Sequence, residues 1–120
     1  MEGTKVANAI QNCIDAISKQ RRKLESQAAK TAEAISAYDK RLAIVLIELK
    51  NGKKLELEGQ IIENPPVGTA KEIAKGLCWR ERLNKEQAEA MWKAVNNNLN
   101  ALLAELNGYQ SINKHLDSFG

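Results

Sequence analysis

From Thr4 to Asn51 the chain contains neither glycine nor proline, the two residues that most readily end a helix. Over the same stretch apolar or small side chains recur mostly at steps of three and four: Val6, Ile10, Cys13, Ile17, then Leu24, Ala28, Ile35, Tyr38, Leu42, Val45, Leu49. Gln20 and Thr31 interrupt the series, and a four-four step near Leu24 and Ala28 reads as a coiled-coil stutter. The pattern predicts one helix over residues ~5–50, roughly 65–70 Å long at 1.5 Å per residue.

The series runs into Asn51-Gly52, which either closes a two-residue β-hairpin or terminates a helix. A hairpin pairing residues 43–49 with 53–60 would set Lys50 against Lys53 and Glu48 beside Leu55, and neither face would be cleanly apolar. The helical phase of Ile35 and Tyr38 continues unbroken to Leu49, so the helix is preferred, with Gly52 as its left-handed terminating residue. Leu55, Leu57 and Ile61 then alternate with Glu56, Glu58 and Gln60 as one short extended segment, ended by Asn64-Pro65-Pro66. Thr69-Ala70-Lys71-Glu72 has the form of a capping box and predicts a short helix from Thr69, broken or bent at Gly76. From Leu83 or Asn84 to about Ser118 helical period returns through Ala88, Met91, Val95, Leu99, Leu102, Leu106, Tyr109, Ile112, Leu116 and Phe119, with continuity across Asn107-Gly108. The expected fold is all-α: one domain of two long antiparallel, coiled-coil-like helices (~5–50 and ~84–118) joined by a structured tip (~51–82).

Composition narrows the functional classes. In 120 residues there is room for one domain and a modest core, and with aromatics at 4% that core must be built from Ala, Leu and Ile. Two distant cysteines, Cys13 and Cys78, and a single histidine, His115, make no metal-ligand pattern, and neither cofactor nor metal is expected. No paired acid/base or nucleophile constellation points to an enzyme, and His115 has no obvious nucleophile near it. The start Met1-Glu2-Gly3-Thr4-Lys5 lacks a signal-peptide core, and no run approaches the ~18 apolar residues of a membrane span, so a cytoplasmic protein with reduced thiols is expected.

Three surfaces are singled out. The net charge of +3 resides in residues 1–50, where Lys19, Arg21, Arg22 and Lys23 form its densest point; this is either a phosphate-tracking stripe for nucleic acid or a solvated face paired with Glu25 and Glu33. Trp79, Arg80 and Arg82 at the tip are the residue types that dominate interface hot spots, or else Trp79 covers the apolar end of the helix pair. If the last helix packs back from residue 83, the first ten or so residues of the long helix overhang, leaving Val6, Ile10, Cys13 and Ile17 without an intrachain partner and implying a homodimer or higher oligomer. Asn96, Asn97, Asn98 and Asn100 read as a solvated polar face.

From Tyr38 onward the order YDKRLAIVLIELKNG, ENPP, EIAKGLCWRER, EQAEAMWKA and LLAELNGYQSI resembles small helical proteins encoded by bacteriophages and prophages, over residues 38–117. The resemblance implies a phage accessory protein inside a bacterial host cell, and it carries over no catalytic residue. Together these readings predict a non-enzymatic helical interaction module that binds and modulates or inhibits a host protein, a defence protein among them. The alternative is a nucleic-acid-binding accessory of phage recombination or replication.

Overall fold

A computed structural model describes Gly3–Phe119, the side chain of Phe119 excepted. In chain order the elements are helix α1 (Gly3–Lys50), strands β1 (Leu55–Leu57) and β2 (Gln60–Ile62), helix α2 (Val67–Leu77) and helix α3 (Trp79–Phe119). The fold is all-α, two long helices joined by a two-stranded ribbon and a short helix.

α1 runs unbroken for 48 residues, as its lack of internal breakers predicts. Its end is a Schellman motif. Lys53 N–H donates to the Glu48 carbonyl at 3.0 Å and Gly52 N–H to the Leu49 carbonyl at 3.2 Å, with Gly52 at φ +78°. Lys53 Nζ returns to Glu48 Oε1 at 3.3 Å and clips the same turn.

The expectation of a single extended segment is corrected. Leu55, Glu56 and Leu57 pair antiparallel with Ile62, Ile61 and Gln60 across a two-residue turn at Glu58-Gly59, both residues at positive φ (48° and 80°). The hairpin that Asn51-Gly52 seemed to signal therefore exists, seven residues later, closed by Glu-Gly in a turn of the type I′ kind. Leu55, Leu57 and Ile62 are the half-buried residues of the ribbon, and Glu56 and Ile61 are exposed.

α2 starts two residues before the expected capping box. Pro66, at φ −53° and ψ 140°, is its N-cap, and its carbonyl accepts from the N–H of Thr69 (2.9 Å) and Ala70 (3.0 Å) and from Thr69 Oγ1 (3.0 Å). Thr69 is thus a back-bonding hydroxyl inside the first turn, and Glu72 pairs with Lys75 at 3.4 Å instead of reaching back to a cap. The break expected at Gly76 falls one residue later, since α2 ends at Leu77 and Gly76 itself is helical. A Cβ there would stand 3.8 Å from Leu57 Cδ2, so the glycine marks where the ribbon packs close against α2. Cys78 separates α2 from α3, and α3 begins at Trp79, four residues before the expected start; Arg82 N–H already donates to the Cys78 carbonyl at 2.9 Å. α3 continues through Asn107-Gly108, as expected.

Contacts divide the chain into two compact units. One comprises α1 up to Ala28 with α3 from Met91; the other runs from Ala29 to Ala90. In the first, α1 presents Val6, Cys13 and Ile17 and α3 presents Leu99 as buried residues. The helices run antiparallel there, with Cys13 against the Leu102 carbonyl and Ala9 facing the same small cavity as Tyr109. In the second, Tyr38, Val45, Leu49, Ala74 and Cys78 form the buried cluster, flanked by Leu42, Leu46, Leu55, Ile62, Ile73 and Leu77. The helices are antiparallel here too: Thr31 Oγ1 donates to the Ala88 carbonyl at 3.1 Å, and the Lys85 ammonium lies 5.1 Å from the Tyr38 ring centroid.

Candidate functional site

In the second unit, burial of Cys78 fixes the direction in which α3 leaves the core, and the next side chain emerges at the surface. Trp79 is 50% exposed, with the Arg80 guanidinium carbon 5.3 Å from its ring centroid, inside cation–π range. Leu83, four residues on and therefore on the same face, is 45% exposed. Arg82 lies between them and is held by Glu86, Nε to Oε1 3.2 Å. The α3 head thus presents two large apolar side chains flanked by two guanidinium groups, each arginine already oriented by a neighbour. Such a surface suits a protein partner, because preordered Trp and Arg side chains lose little rotamer freedom on binding.

Also in the second unit is a cleft of about 490 Å³, bounded by the last turns of α1 and the first turns of α2. Leu46, Leu49, Pro65, Val67 and Ala70 give it apolar walls. Lys50, Asn64 and Lys71 supply its polar groups. Sequence reasoning missed it, because residues 46–50 and 64–71 meet only through the intervening ribbon.

Lys19, Arg21, Arg22 and Lys23 are all exposed on α1 in the first unit. None of them makes an ion pair among the described residues, and the expected pairings with Glu25 and Glu33 are not formed. At 100° per residue Lys19, Arg22 and Lys23 share a 100° arc, with Arg21 outside it.

Assignment of Val6, Ile10, Cys13 and Ile17 to an interface between copies rested on their lacking a partner within the chain, and that premise is corrected. Val6 is fully buried, Cys13 and Ile17 are buried and Ile10 is half-buried in the first unit. The physical reason is register: Thr31 meets Ala88 in the second unit and Cys13 meets Leu102 in the first, so α3 does not begin opposite the end of α1, and its 41 residues supply cover as far as Val6. Cys13 Sγ–H donates to the Leu102 carbonyl at 3.6 Å.

Beside it a cavity of about 270 Å³ brings Cys13, Glu105 and Tyr109 together. Burial, reinforced by the Glu105 carboxylate, pushes the Cys13 thiol above its ordinary pKa. Tyr109 is pushed up as well, chiefly because its hydroxyl donates to Glu105. Cys78 is raised by burial and then by Glu81, with Arg41 opposing. Both cysteines are free and buried, and both are held as neutral thiols, the less nucleophilic form.

The comparisons with known proteins add no relative: no family model, curated protein or solved structure matches the chain. Among the described residues no three His, Cys, Asp or Glu side chains gather as a metal site, and no helix is long and apolar enough to cross a membrane.

Proposed function

We propose that the chain is a non-enzymatic helical docking module whose partner is a protein and whose contact surface is the α3 head: Trp79, Arg80 and Arg82. The observation that carries the reading is Trp79, half exposed beside an exposed Leu83 and stacked by Arg80. A large aromatic left in water at a helix start costs solubility and adds little to the core. Burial by a partner would remove that cost and engage both guanidinium groups. The resemblance of residues 38–117 to phage-encoded proteins supports a setting in the cytoplasm of a bacterial host, with a host protein, a defence protein among them, as the target and inhibition as the outcome. Self-association forms no part of the proposal, since the stripe that suggested it is buried.

The test is affinity capture from host lysate with the wild-type chain beside a Trp79→Ala/Arg80→Ala variant. Both substitutions are at exposed positions, so helicity by circular dichroism stays the same, and the captured host protein is lost with the variant. Capture retained at wild-type level rejects the α3 head.

A second reading has its own support in Lys19, Arg21, Arg22 and Lys23, which make no ion pair among the described residues, three of them on one arc of α1. A nucleic-acid accessory using Lys19, Arg22 and Lys23 on phosphates would bind B-DNA with a log–log salt slope of about −2.7, losing about 40-fold in affinity between about 50 and 200 mM salt. A gel shift at those two concentrations decides it: no complex even at the lower salt removes this reading.

A further inference from the structure

We propose that the cleft between the end of α1 and the start of α2 receives a short peptide segment of the partner that combines large apolar side chains with carboxylates. This rests on the reading of the chain as a docking module and adds the chemistry of what it docks.

The first argument is shape and lining. A cleft of about 490 Å³ falls in the size range of sites that enclose ligand groups. Leu49 forms part of its wall and belongs to the buried cluster with Val45 and Cys78, so that part of the surface is preformed. Val67, in the first turn of α2, is 96% exposed, an apolar β-branched side chain standing in water at the edge of an apolar cleft. Burying it recovers apolar surface that the chain itself leaves wet.

The second argument is charge. Five lysines lie between residues 50 and 75. Lys53, Lys54 and Lys75 are each matched by a glutamate: Glu48 at 3.3 Å, Glu63 at 3.9 Å and Glu72 at 3.4 Å. Lys50 and Lys71, the two that line the cleft, make no ion pair among the described residues, and no carboxylate lines the cleft. Positive charge in this segment is neutralised internally except where the cleft is, and the complement of an apolar cleft with two free ammonium groups is an apolar segment bearing acid. The lining argues against nucleic acid, since no aromatic side chain is present to stack a base and five apolar residues would face a phosphodiester backbone.

Selection from a random twelve-residue peptide display library on the immobilised full chain tests this. Enriched peptides are expected to carry at least two large apolar residues and an excess of Asp and Glu. A synthetic copy of the most enriched peptide, followed by fluorescence anisotropy, is expected to bind at least tenfold more weakly to Val67→Asp and about fivefold more weakly to Lys50→Gln/Lys71→Gln, with reduced salt dependence in the latter. Val67→Asp places an acid in the first turn of α2, where it favours the helix, so loss of binding is not loss of fold. Four results overturn the proposal: no enriched peptide; enriched peptides without acidic bias; binding unchanged by both variants; or self-association that Val67→Asp abolishes, which would make a second copy the occupant. Peptide binding lost only in Trp79→Ala/Arg80→Ala overturns the cleft while leaving the docking module standing.

Discussion

Two glycines in this chain are expected to respond to the same substitution with opposite signs. Gly52 is the left-handed residue of the α1 Schellman motif, at φ +78°, and a Cβ there would meet Asn64 Oδ1 at 3.5 Å, an ordinary contact. The cost of Gly52→Ala is therefore conformational: about 1–2 kcal/mol for a Cβ in left-handed backbone, less a few tenths recovered because alanine restricts the unfolded chain. Gly108 lies inside α3 with nothing within 4 Å of its would-be Cβ, so Gly108→Ala gains helix propensity of about 1 kcal/mol without a clash. At an unfolding entropy of about 2.1 cal/mol/K per residue, 1 kcal/mol moves the midpoint of a chain this long by about 4 °C. Thermal melts followed at 222 nm should place Gly52→Ala about 4 °C below and Gly108→Ala about 4 °C above wild type, with Gly52→Asn between Gly52→Ala and wild type. A Gly52→Ala melt at or above wild type refutes the Schellman stop. A Gly108→Ala melt below wild type refutes the continuity of α3.

Val45→Ala deletes two methyl groups from a fully buried site and leaves a cavity, for a loss of about 2–3 kcal/mol by urea denaturation; a loss under about 0.5 kcal/mol would mean that the cluster around Tyr38 and Cys78 is not packed. Val6→Asp buries a charge against α3 and should lower the melting midpoint without changing the mass seen by light scattering; a tolerated Val6→Asp would restore the idea of an unpartnered stripe. Cys13 and Cys78 should react slowly with Ellman's reagent at neutral pH and quickly in urea, and a rapid native-state burst would contradict their neutral, buried state. Because folding raises the pKa of both thiols, the unfolded chain loses their protons first. Their stabilisation is complete below the unfolded thiol value near 8.5 and is lost as pH rises through the higher folded values. The urea midpoint should fall above about pH 8.5, and less steeply in Cys13→Ala/Cys78→Ala; equal slopes would remove the thiols as its cause.

What the sequence showed and what it hid divide by the range of the interactions. Gly52 as a helix stop was legible because a Schellman motif is made of neighbours, residues 48–53. The ribbon was legible only as one extended segment: its alternation registered, but its strands are three residues each and its turn carries Glu58 where asparagine or aspartate would have announced positive φ. Thr69-x-x-Glu72 misled because Pro66, with its extended ψ, opens the helix earlier and leaves Thr69 inside the first turn. The false overhang of Val6, Ile10, Cys13 and Ile17 followed from setting the start of α3 opposite the end of α1, where Ala74 and Cys78 share a buried cluster with Val45 and Leu49 instead. Trp79 and Arg80 broke the apolar period, and they did so because they face water, the property on which the proposed docking surface rests. The lysines make the same point more sharply. Five of them between residues 50 and 75 are equivalent in one dimension, and only the folded positions of Glu48, Glu63 and Glu72 separate three that are satisfied from two that are free. A binding surface on a small helical chain is written as the residue of that pairing, in the charges and apolar side chains that internal structure leaves unmatched, and so it becomes readable only once the internal partners are known.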